Sequence, residues 1–448
     1  MKKELYEEYF KDKKVTVVGL GLLGRGVGDS LFLASMGAQL IITDKKSKAD
    51  LQTSVQMFDD NADIKFTLGE HRFEDFENRD YILKAAGVPY DSEYVEHARK
   101  HNIPVYMSGA LLSHIVMNQL DGVTIIGITG TRGKSTTTSL IAHVLKECHM
   151  RVHLGGNIRG LANLPLLRDI EEGDFLVLEL DSWQLQGFGD MNISPHIAVF
   201  TSFLDDHMNY YKNDKEHYFS DKAKIYRNQK EYDVLIASPQ ALSEIGKRDP
   251  NIEVIVPEEK HFSMKLIGEH NQVAARLAYE VGLQCGLQED EIIDAIASFK
   301  AVEGRLEDLG EVGEKHVRVF NDNNATTPDA TIAAVQAINE RYNKKPILII
   351  GGNDKGLDTT ILEDVIKNKT KEVVYLSGTG TNTISLEKKY EYEELKDCVE
   401  KAFDLGEKGD VILFSPAFAS FSKYFSNEYE RNDTFIKAIN SKKHDSKI

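Results

Sequence analysis

The segment VTIIGITGTRGKSTTTS, residues 123–139, constrains the fold of this chain more than any other. Val123 to Ile128 is an apolar, β-branched run typical of a parallel strand that is buried on both faces. Glycines interrupt this run, and a helical pattern begins at Lys134 and Ser135. A strand, a glycine-rich loop, Lys-Ser and a helix are the parts of a phosphate-binding loop. In such a loop backbone N–H groups hold phosphate oxygens, the lysine reaches the terminal phosphates and the hydroxyl ligates Mg²⁺.

The loop departs from the strict G-x-x-x-x-G-K-[ST] pattern, because Ile128 stands where that pattern has its first glycine. A glycine turn that joins a strand to a helix without binding a ligand is therefore the alternative interpretation. The order of strand, loop and helix favours phosphate binding. We expect the phosphates to contact seven consecutive residues, Gly130, Thr131, Arg132, Gly133, Lys134, Ser135 and Thr136.

Composition argues against several classes of protein. The chain has 448 residues, enough for two or three domains, and a formal net charge of −17. This charge argues against nucleic acid or an anionic membrane as the main partner. The three cysteines have no metal-like spacing, which predicts a reducing cytoplasm. No apolar run approaches the length of a membrane span, and the charged start does not read as a signal peptide.

A second glycine-rich turn follows the first predicted strand, KVTVV. Gly19, Gly21 and Gly24 match G-x-G-x-x-G, and Asp44 ends the next strand about twenty residues on. This pattern predicts a Rossmann-like βαβ unit whose helix N-terminus holds a nucleotide diphosphate. A structural turn without a ligand is the alternative.

Four further residues have both a functional and a structural interpretation. Glu179 ends the strand FLVLEL beside the predicted loop and is placed for Mg²⁺, or is a solvated acid. His207 follows Asp205-Asp206 and is a metal candidate or a structural histidine. Lys222 lies on a helical pattern, where a solvated face is the expectation from the residues alone. Asn271 lies near the start of a long helix, where an N-terminal cap explains it.

The last third of the chain repeats the pattern of a strand that ends in polar residues, as in VRVFND, PILIIGGNDK and VILFSPAF. This predicts a further parallel α/β sheet with its polar residues at strand ends. We predict an α/β chain of three domains: a Rossmann-like domain over residues 1–118, a central phosphate-loop domain over 119–300 and a second Rossmann-like domain over 301–448.

The motifs TGTRGKST, GGNI, DDHMNYY, GEHN, NDNNAT, GGNDKG and SPAFASF occur in order and cover nearly the whole chain. In this respect the chain resembles the Mur ligases of peptidoglycan synthesis, and GGNDKG with SPAFASF favours the glutamate-adding branch. The resemblance implies that ATP phosphorylates the carboxylate of UDP-N-acetylmuramoyl-L-alanine. The amino group of D-glutamate then attacks the acyl phosphate. It also implies small-molecule partners, no nucleic acid or membrane partner, and a cytoplasmic protein that we expect to be a monomer.

The resemblance also implies roles for individual residues. Lys134, His207 and Lys222 match catalytic positions, and Ser135, Glu179, His207 and a carbamylated Lys222 match the positions that hold Mg²⁺. Beyond the loop, ATP would contact Asn271, Arg305 and Asp322, with Asp322 on the ribose. The UDP-linked substrate would contact Gly21, Leu22, Leu23, Asp44, Asn157 and Ser182. The incoming amino acid would contact Thr326, Lys355 and Ser420.

Five positions depart from the family pattern. Arg132 replaces Asn, Asp181 replaces Ser, Trp183 replaces Phe, and Gly304 stands before Arg305 where the family has His. Asn324 replaces a lysine that helps hold the incoming glutamate, and loss of that cation weakens the binding of a dicarboxylate. Either another cation such as Lys355 compensates, or the incoming amino acid differs. The further alternatives are another ligase of this type, including one related to folylpolyglutamate synthase, and a catalytically impaired nucleotide-binding regulator.

Overall fold

The computed structural model of the chain describes residues 2–22, 24–58, 64–420, 425 and 427–444. Strands and helices alternate along most of the sequence, and the strands form three sheets. Clustering of contacts divides the chain into two units, Met1–Lys260 with Ala274–Ala295, and His261–Val273 with Ile296–Ile448. The first and second sheets belong to the first unit and the third sheet belongs to the second unit.

Five parallel strands form the first sheet: β1 (Lys14–Val18), β2 (Gln39–Asp44), β3 (Ile64–Leu68), β4 (Tyr81–Lys84) and β5 (Val105–Tyr106). The helices of this region are α1 (Lys2–Phe10), α2 (Arg25–Ser35), α3 (Gln52–Gln56), α4 (Glu93–Lys100) and α5 (Ser108–Gln119), with a 3₁₀ turn at Phe73–Phe76. The strand order is β3-β2-β1-β4-β5. The turn after β1 therefore lies where the strand order reverses, which is where ligands bind in open parallel sheets.

The second sheet also has five parallel strands: β6 (Thr124–Thr129), β7 (Val152–Gly156), β8 (Phe175–Glu179), β9 (Ile197–Phe200) and β10 (Val234–Ala237). The helices that follow in sequence are α6 (Lys134–Glu147), α7 (Ser182–Asp190), α8 (Lys215–Ala223), α9 (Pro239–Arg248), α10 (Glu269–Gln284) and α11 (Glu289–Ser298), with a 3₁₀ turn at Leu164–Arg168. The order β10-β9-β6-β8-β7 puts β6 in the centre of the sheet. The phosphate-loop segment thus leaves the sheet at its own point of strand reversal.

The third sheet has six strands: β11 (Glu307–Val312), β12 (Val317–Asn321), β13 (Ile347–Gly351), β14 (Glu372–Leu376), β15 (Glu391–Tyr392) and β16 (Val411–Phe414). Its helices are α12 (Pro328–Tyr342), α13 (Thr360–Lys369), α14 (Leu395–Leu405) and α15 (Glu428–His444), with a 3₁₀ turn at Thr381–Thr383. The order is β11-β12-β16-β13-β14-β15.

The prediction of a wholly parallel third sheet is wrong at one edge, where β11 pairs antiparallel with β12. Only residues 313–316 join these two strands, and the N–H of His316 donates to the carbonyl of Gly313 at 3.1 Å. A connection of this length can form a hairpin but not the longer crossover that a parallel pair requires.

The charged start of the chain forms helix α1 because its apolar side chains recur at helical spacing. Tyr6 and Phe10 are 2% and 0% exposed, and the ring of Phe10 packs edge-on to Phe32 at a centroid distance of 5.4 Å. Within the described part of the chain, no helix combines the length and the apolar character that crossing a bilayer requires.

Helix α2 carries a buried carboxylate toward the segment that follows β7. Asp29 is 5% exposed, and its Oδ1 accepts a hydrogen bond from the backbone N–H of Leu164 at 2.9 Å. Burial raises the pKa of Asp29 to about 6, against hydrogen bonds from Leu164, Ser108 and Asn163 that favour the ionised form. The folded chain therefore holds a proton on Asp29 more tightly than the unfolded chain does.

We expect this raised pKa to give stability a component that is present below about pH 4 and is lost as the pH rises through about 6. Asp29→Asn removes the titration. The unfolding free energy of the variant relative to the parent should therefore increase by about 3 kcal/mol between about pH 4 and about pH 7. Denaturant unfolding followed by circular dichroism at the two pH values measures this difference.

Asp50→Asn is the matched control, because hydrogen bonds from Ser47 lower the pKa of the exposed Asp50 carboxyl. The unfolding free energy of Asp50→Asn relative to the parent should therefore change with pH in the opposite direction. If the unfolding free energy of Asp29→Asn relative to the parent is the same at both pH values, the assignment of a raised pKa to Asp29 in the folded state is contradicted.

Candidate active site

The loop between β6 and α6 is shaped by two glycines. Gly130 has φ 148° and Gly133 has φ 84°. A Cβ atom on Gly130 would lie 2.0 Å from Oγ1 of Thr201 and 2.8 Å from the backbone nitrogen of Ser202, so only glycine fits there. Gly133 is the N-cap of α6, which begins at Lys134. The first N–H groups of α6 therefore lie at the carboxyl edge of the sheet, as a phosphate-binding loop requires.

The side chain of Lys134 folds back over its own loop. Its Nζ donates to the carbonyl of Gly130 at 3.0 Å and to that of Thr131 at 3.2 Å. Burial lowers the pKa of Lys134, and the nearby Glu179 carboxylate acts in the opposite direction. Backbone carbonyls of the loop thus hold the ammonium in place.

The expectation that Lys222 lies on a solvated helix face is wrong. Lys222 lies in the last turn of α8, is 2% exposed, and its Nζ donates to the carbonyl of Gly130 at 2.9 Å. Burial, followed by the charge of Lys134, holds the pKa of Lys222 well below its usual range. Lys222 and Lys134 therefore share one acceptor. Lys224 is partly exposed and forms an ion pair with Asp221 at 2.7 Å.

Glu179 ends β8 and is 5% exposed, which contradicts its interpretation as a solvated acid. Its carbonyl accepts a hydrogen bond from the backbone N–H of Asn157 at 2.8 Å. Among the described residues no group of three or more histidine, cysteine, aspartate or glutamate side chains is arranged to hold a metal ion. A Mg²⁺ ion with a single protein carboxylate would have to take most of its other ligands from phosphates and water.

Arg132 is directed toward the segment that follows β9. Its Nη1 lies 2.9 Å from Oδ2 of Asp206, and its backbone N–H donates to Oγ of Ser202 at 2.8 Å. The same Asp206 oxygen lies 3.8 Å from Nε2 of His207, whose backbone has φ 55°. Asp206 therefore holds the Arg132 guanidinium at the loop.

Two of the departures from the family pattern lie at the start of α7. Asp181 caps this helix: its carboxylate accepts from the N–H of Gln184, and the Gln184 side chain accepts from the N–H of Asp181. An aspartate therefore performs the capping role for which serine is equally suited. The Trp183 ring packs against His207 at a centroid distance of 4.8 Å, and its buried Nε1 has no hydrogen-bond partner among the described residues. Ser182 is 2% exposed.

The Asp44 carboxylate stabilises the glycine-rich turn of the first sheet. Its Oδ2 accepts from the N–H of Gly21 at 3.1 Å and its Oδ1 from the N–H of Lys46 at 2.9 Å. Leu22 is 46% exposed beside this turn, and Leu23 lies outside the described residues. The structure adds a residue that sequence analysis missed, because Nη1 of Arg25 lies 2.5 Å from Oδ1 of Asn157.

The predicted nucleotide contacts Asn271, Arg305 and Asp322 belong to the second unit. Asp322 is 9% exposed, and its oxygens accept from the N–H of Leu306 at 3.0 Å and from Oγ of Ser415 at 2.9 Å. Burial raises the pKa of Asp322 to about 7, and the charge of Arg305 acts in the opposite direction.

Asn271 is not the N-cap that its sequence position suggested. It lies in the first turn of α10, is 4% exposed, and its Nδ2 donates to the carbonyl of Ile267 at 2.8 Å. A capping side chain accepts a hydrogen bond from a helical N–H, whereas Asn271 donates to a carbonyl that precedes the helix.

The predicted amino-acid contacts lie at the carboxyl ends of the third sheet. Nζ of Lys355 lies 3.1 Å from Oγ1 of Thr326, and Ser420 is 3% exposed. Asn324 accepts from Nδ2 of Asn323 at 3.1 Å.

Sequence analysis also missed Arg431, which is fully buried on α15. Its Nε and Nη2 donate to Oδ1 and the carbonyl of Asn323 at 2.9 and 2.8 Å, and its Nη1 donates to the carbonyl of Phe418 at 3.2 Å. Burial lowers its pKa to about 9. No local sequence signal marks Arg431, since all of its acceptors are distant in sequence.

Known proteins are similar to this chain over most of its length. The Mur ligase middle domain matches residues 128–254, and the Mur ligase, glutamate ligase domain matches residues 304–418. The UDP-N-acetylmuramoylalanine--D-glutamate ligase of Borreliella afzelii (strain PKo) is 32% identical, covering 96% of this chain and 98% of that relative. The ligase of the same name from Koribacter versatilis (strain Ellin345) is 33% identical, covering 94% and 95%.

Solved structures share the fold at lower identity. The UDP-N-acetylmuramate-alanine ligase MurC from Thermotoga maritima has a TM-score of 0.61 at 19% identity, covering 96% of this chain and 99% of that one. The MurF ligase from Thermotoga maritima in complex with ADP has a TM-score of 0.62 at 17% identity, covering 98% and 97%. The matched family domains and the relatives above 30% identity agree: this chain belongs to the Mur ligase family.

Proposed function

We propose that this chain is an ATP-dependent ligase that joins D-glutamate to UDP-N-acetylmuramoyl-L-alanine in peptidoglycan synthesis. The observation that carries the proposal is the convergence of Lys134 and Lys222 on the carbonyl of Gly130, inside a loop that opens α6. The printed names of the full-length relatives support D-glutamate as the incoming amino acid.

The chemistry begins with a carboxylate, which is a poor acyl donor. Transfer of the γ-phosphoryl group of ATP to a carboxylate oxygen gives an acyl phosphate and ADP. The glutamate amine then attacks the acyl carbon, the C–N bond forms, inorganic phosphate leaves and the amine loses a proton. The loop N–H groups and the Lys134 ammonium stabilise negative charge on the transferring phosphoryl group. To do so, Lys134 exchanges the carbonyls of Gly130 and Thr131 for phosphate oxygens.

Mg²⁺ would be held by the Ser135 hydroxyl and the Glu179 carboxylate, together with phosphate oxygens, and when bound it would neutralise charge between the phosphates. The low pKa of Lys222 favours a neutral amine, the form that adds carbon dioxide to give a carbamate. Carbamylation places an anion near the Lys134 ammonium, so the two side chains then attract each other. With His207, the carbamate oxygens would support a second Mg²⁺.

The remaining assignments extend the proposal to the whole chain. Residues 1–118 form a Rossmann-like domain for the UDP-linked substrate, 119–300 the phosphate-loop domain and 301–448 a Rossmann-like domain for the amino acid. The UDP-linked substrate contacts the Gly21 turn with Leu22, Leu23 and Asp44, and also Asn157 and Ser182. The adenosine of ATP contacts Asn271, Arg305 and Asp322, and glutamate contacts Thr326, Lys355 and Ser420. The protein acts as a monomer in the cytoplasm, on small molecules.

Asn324 favours a second candidate, a ligase of the same type that adds a different amino acid. The lysine expected there would have paired with a glutamate carboxylate. Lys355 supports glutamate nonetheless, because its ammonium is held at Oγ1 of Thr326 at 3.1 Å and supplies a cation to the same predicted pocket.

A panel of amino acids tests the function directly. The protein is incubated with ATP, Mg²⁺ and UDP-N-acetylmuramoyl-L-alanine, and phosphate release is measured with each amino acid in turn. We expect release with D-glutamate at least about tenfold faster than with L-glutamate, D-aspartate or glycine, since a site that pairs with both carboxylates of D-glutamate discriminates against ligands whose amine or second carboxylate is placed differently or missing. Faster release with another amino acid would support the second candidate, and no release with any would indicate an impaired enzyme.

A further inference from the structure

Helix α2 is docked on the segment that follows β7 through three successive features of one helix face. Arg25 and Asp29 are one turn apart and contact Asn157 and the N–H of Leu164 respectively. Between them, Gly28 allows close approach, because a Cβ atom there would lie 2.6 Å from Cβ of Ala162. The position of Arg25 is therefore set by the packing of the helix that carries it.

The contact between Arg25 and Asn157 fixes the orientation of an amide. An asparagine side chain has one carbonyl oxygen and one NH₂ group, which X-ray density rarely distinguishes but hydrogen bonding does. A guanidinium can only donate, so the oxygen of Asn157 must face Arg25. The NH₂ group then points away from Arg25, and among the described residues it has no acceptor.

The backbone of Asn157 is held just as closely on its other side. Its N–H donates to the carbonyl of Glu179 at 2.8 Å, and a Cβ atom on the preceding Gly156 would lie 2.1 Å from that same oxygen. Asn157 thus lies between Arg25 at the start of α2 and Glu179 at the end of β8. Because the backbone of Asn157 is fixed, the Arg25 guanidinium determines only the direction in which the NH₂ group of Asn157 points.

We propose that Arg25 is a positioning residue, which holds the NH₂ group of Asn157 toward an acceptor oxygen on the muramoyl side of the UDP-linked substrate. The inference rests on the proposed function, in which Asn157 contacts that substrate. Without Arg25 the amide can turn, and half of its orientations present an oxygen to an oxygen. The role of Arg25 is therefore selective for this substrate and does not extend to ATP.

Arg25→Leu tests the inference by calorimetric binding of UDP-N-acetylmuramoyl-L-alanine and of ATP to the intact chain. We expect the Kd of the UDP-linked substrate, and its KM, to rise roughly tenfold, with the Kd of ATP changed by less than about twofold. Arg25→Lys, which keeps a cationic donor group, should recover part of the affinity. Arg168→Leu is the matched control, because Arg168 donates to Oγ of Ser35 at the opposite end of α2 and its loss should leave the Kd unchanged.

The double variant Arg25→Leu with Asn157→Ala separates positioning from a general loss of structure. If Arg25 acts through Asn157, its removal costs nothing further once the amide is gone, so the two effects do not add. Additive effects, or an unchanged Kd in Arg25→Leu, would overturn the inference while leaving the proposed function intact. Failure of the parent protein to bind UDP-N-acetylmuramoyl-L-alanine at all would instead overturn the proposed function.

Discussion

Lys134→Ala is expected to lower kcat by at least about 10³-fold, because the ammonium neutralises charge that develops on the transferring phosphoryl group. Among the described residues the side chain donates to the carbonyls of its own loop and forms no ion pair, so its loss should cost the fold little. The melting temperature should therefore stay within a few degrees of the parent. Phosphate release with saturating ATP, UDP-N-acetylmuramoyl-L-alanine and D-glutamate measures the effect.

Lys146→Ala provides the control for Lys134→Ala, since Lys146 is exposed in the last turn of the same helix. It should retain nearly full turnover. A folded Lys134→Ala variant with more than about a tenth of parental kcat would remove the basis for assigning this loop to phosphates.

Lys222→Ala is expected to lose about 10²- to 10³-fold in kcat and to regain part of it when short carboxylic acids such as acetate or propionate are added. The alanine leaves room where the side chain passed, and a small carboxylate can supply the anionic oxygens that a carbamate would have supplied. Turnover measured against the concentration of added acid gives the rescue curve.

Lys222→Arg places a permanent cation at this position and cannot form a carbamate, because a guanidinium remains protonated. It should be as inactive as the alanine variant and should not respond to added acid, since its side chain fills the space. Lys212→Ala, at a side chain that is 85% exposed, is the control for loss of a lysine in general. Activity of Lys222→Arg near that of the parent would show that a positive charge is what the site requires.

The local parts of the site could be predicted from sequence, because their geometry is encoded by neighbouring residues. The Gly130–Ser135 loop is confirmed as the connection between a buried strand and a helix, since glycines, lysine and the apolar run occur within one segment. The strand that ends at Glu179 and the strand that Asp322 follows directly are confirmed for the same reason. In each case the hydrophobic pattern determines where the strand ends.

Contacts between distant segments could not be predicted in this way. Lys222 donates to a carbonyl 92 positions earlier in the sequence. No periodicity in α8 indicates that Lys222 is buried. Arg25 and Asn157 are 132 positions apart, and Arg431 and Asn323 are 108 apart. These pairings depend on how helices pack on sheets, which a single sequence does not specify. The antiparallel β11 was missed because hydrophobic patterning does not encode the direction of a short edge strand.

Trp183 has a practical consequence for studying this enzyme in solution. It is the only tryptophan among the 448 residues, and its indole ring lies against the imidazole of His207. Light that excites indole selectively over phenol will therefore produce emission from a single place in the protein. Any event that moves His207 changes the surroundings of that fluorophore, so the native chain already carries its own optical probe and needs no attached dye.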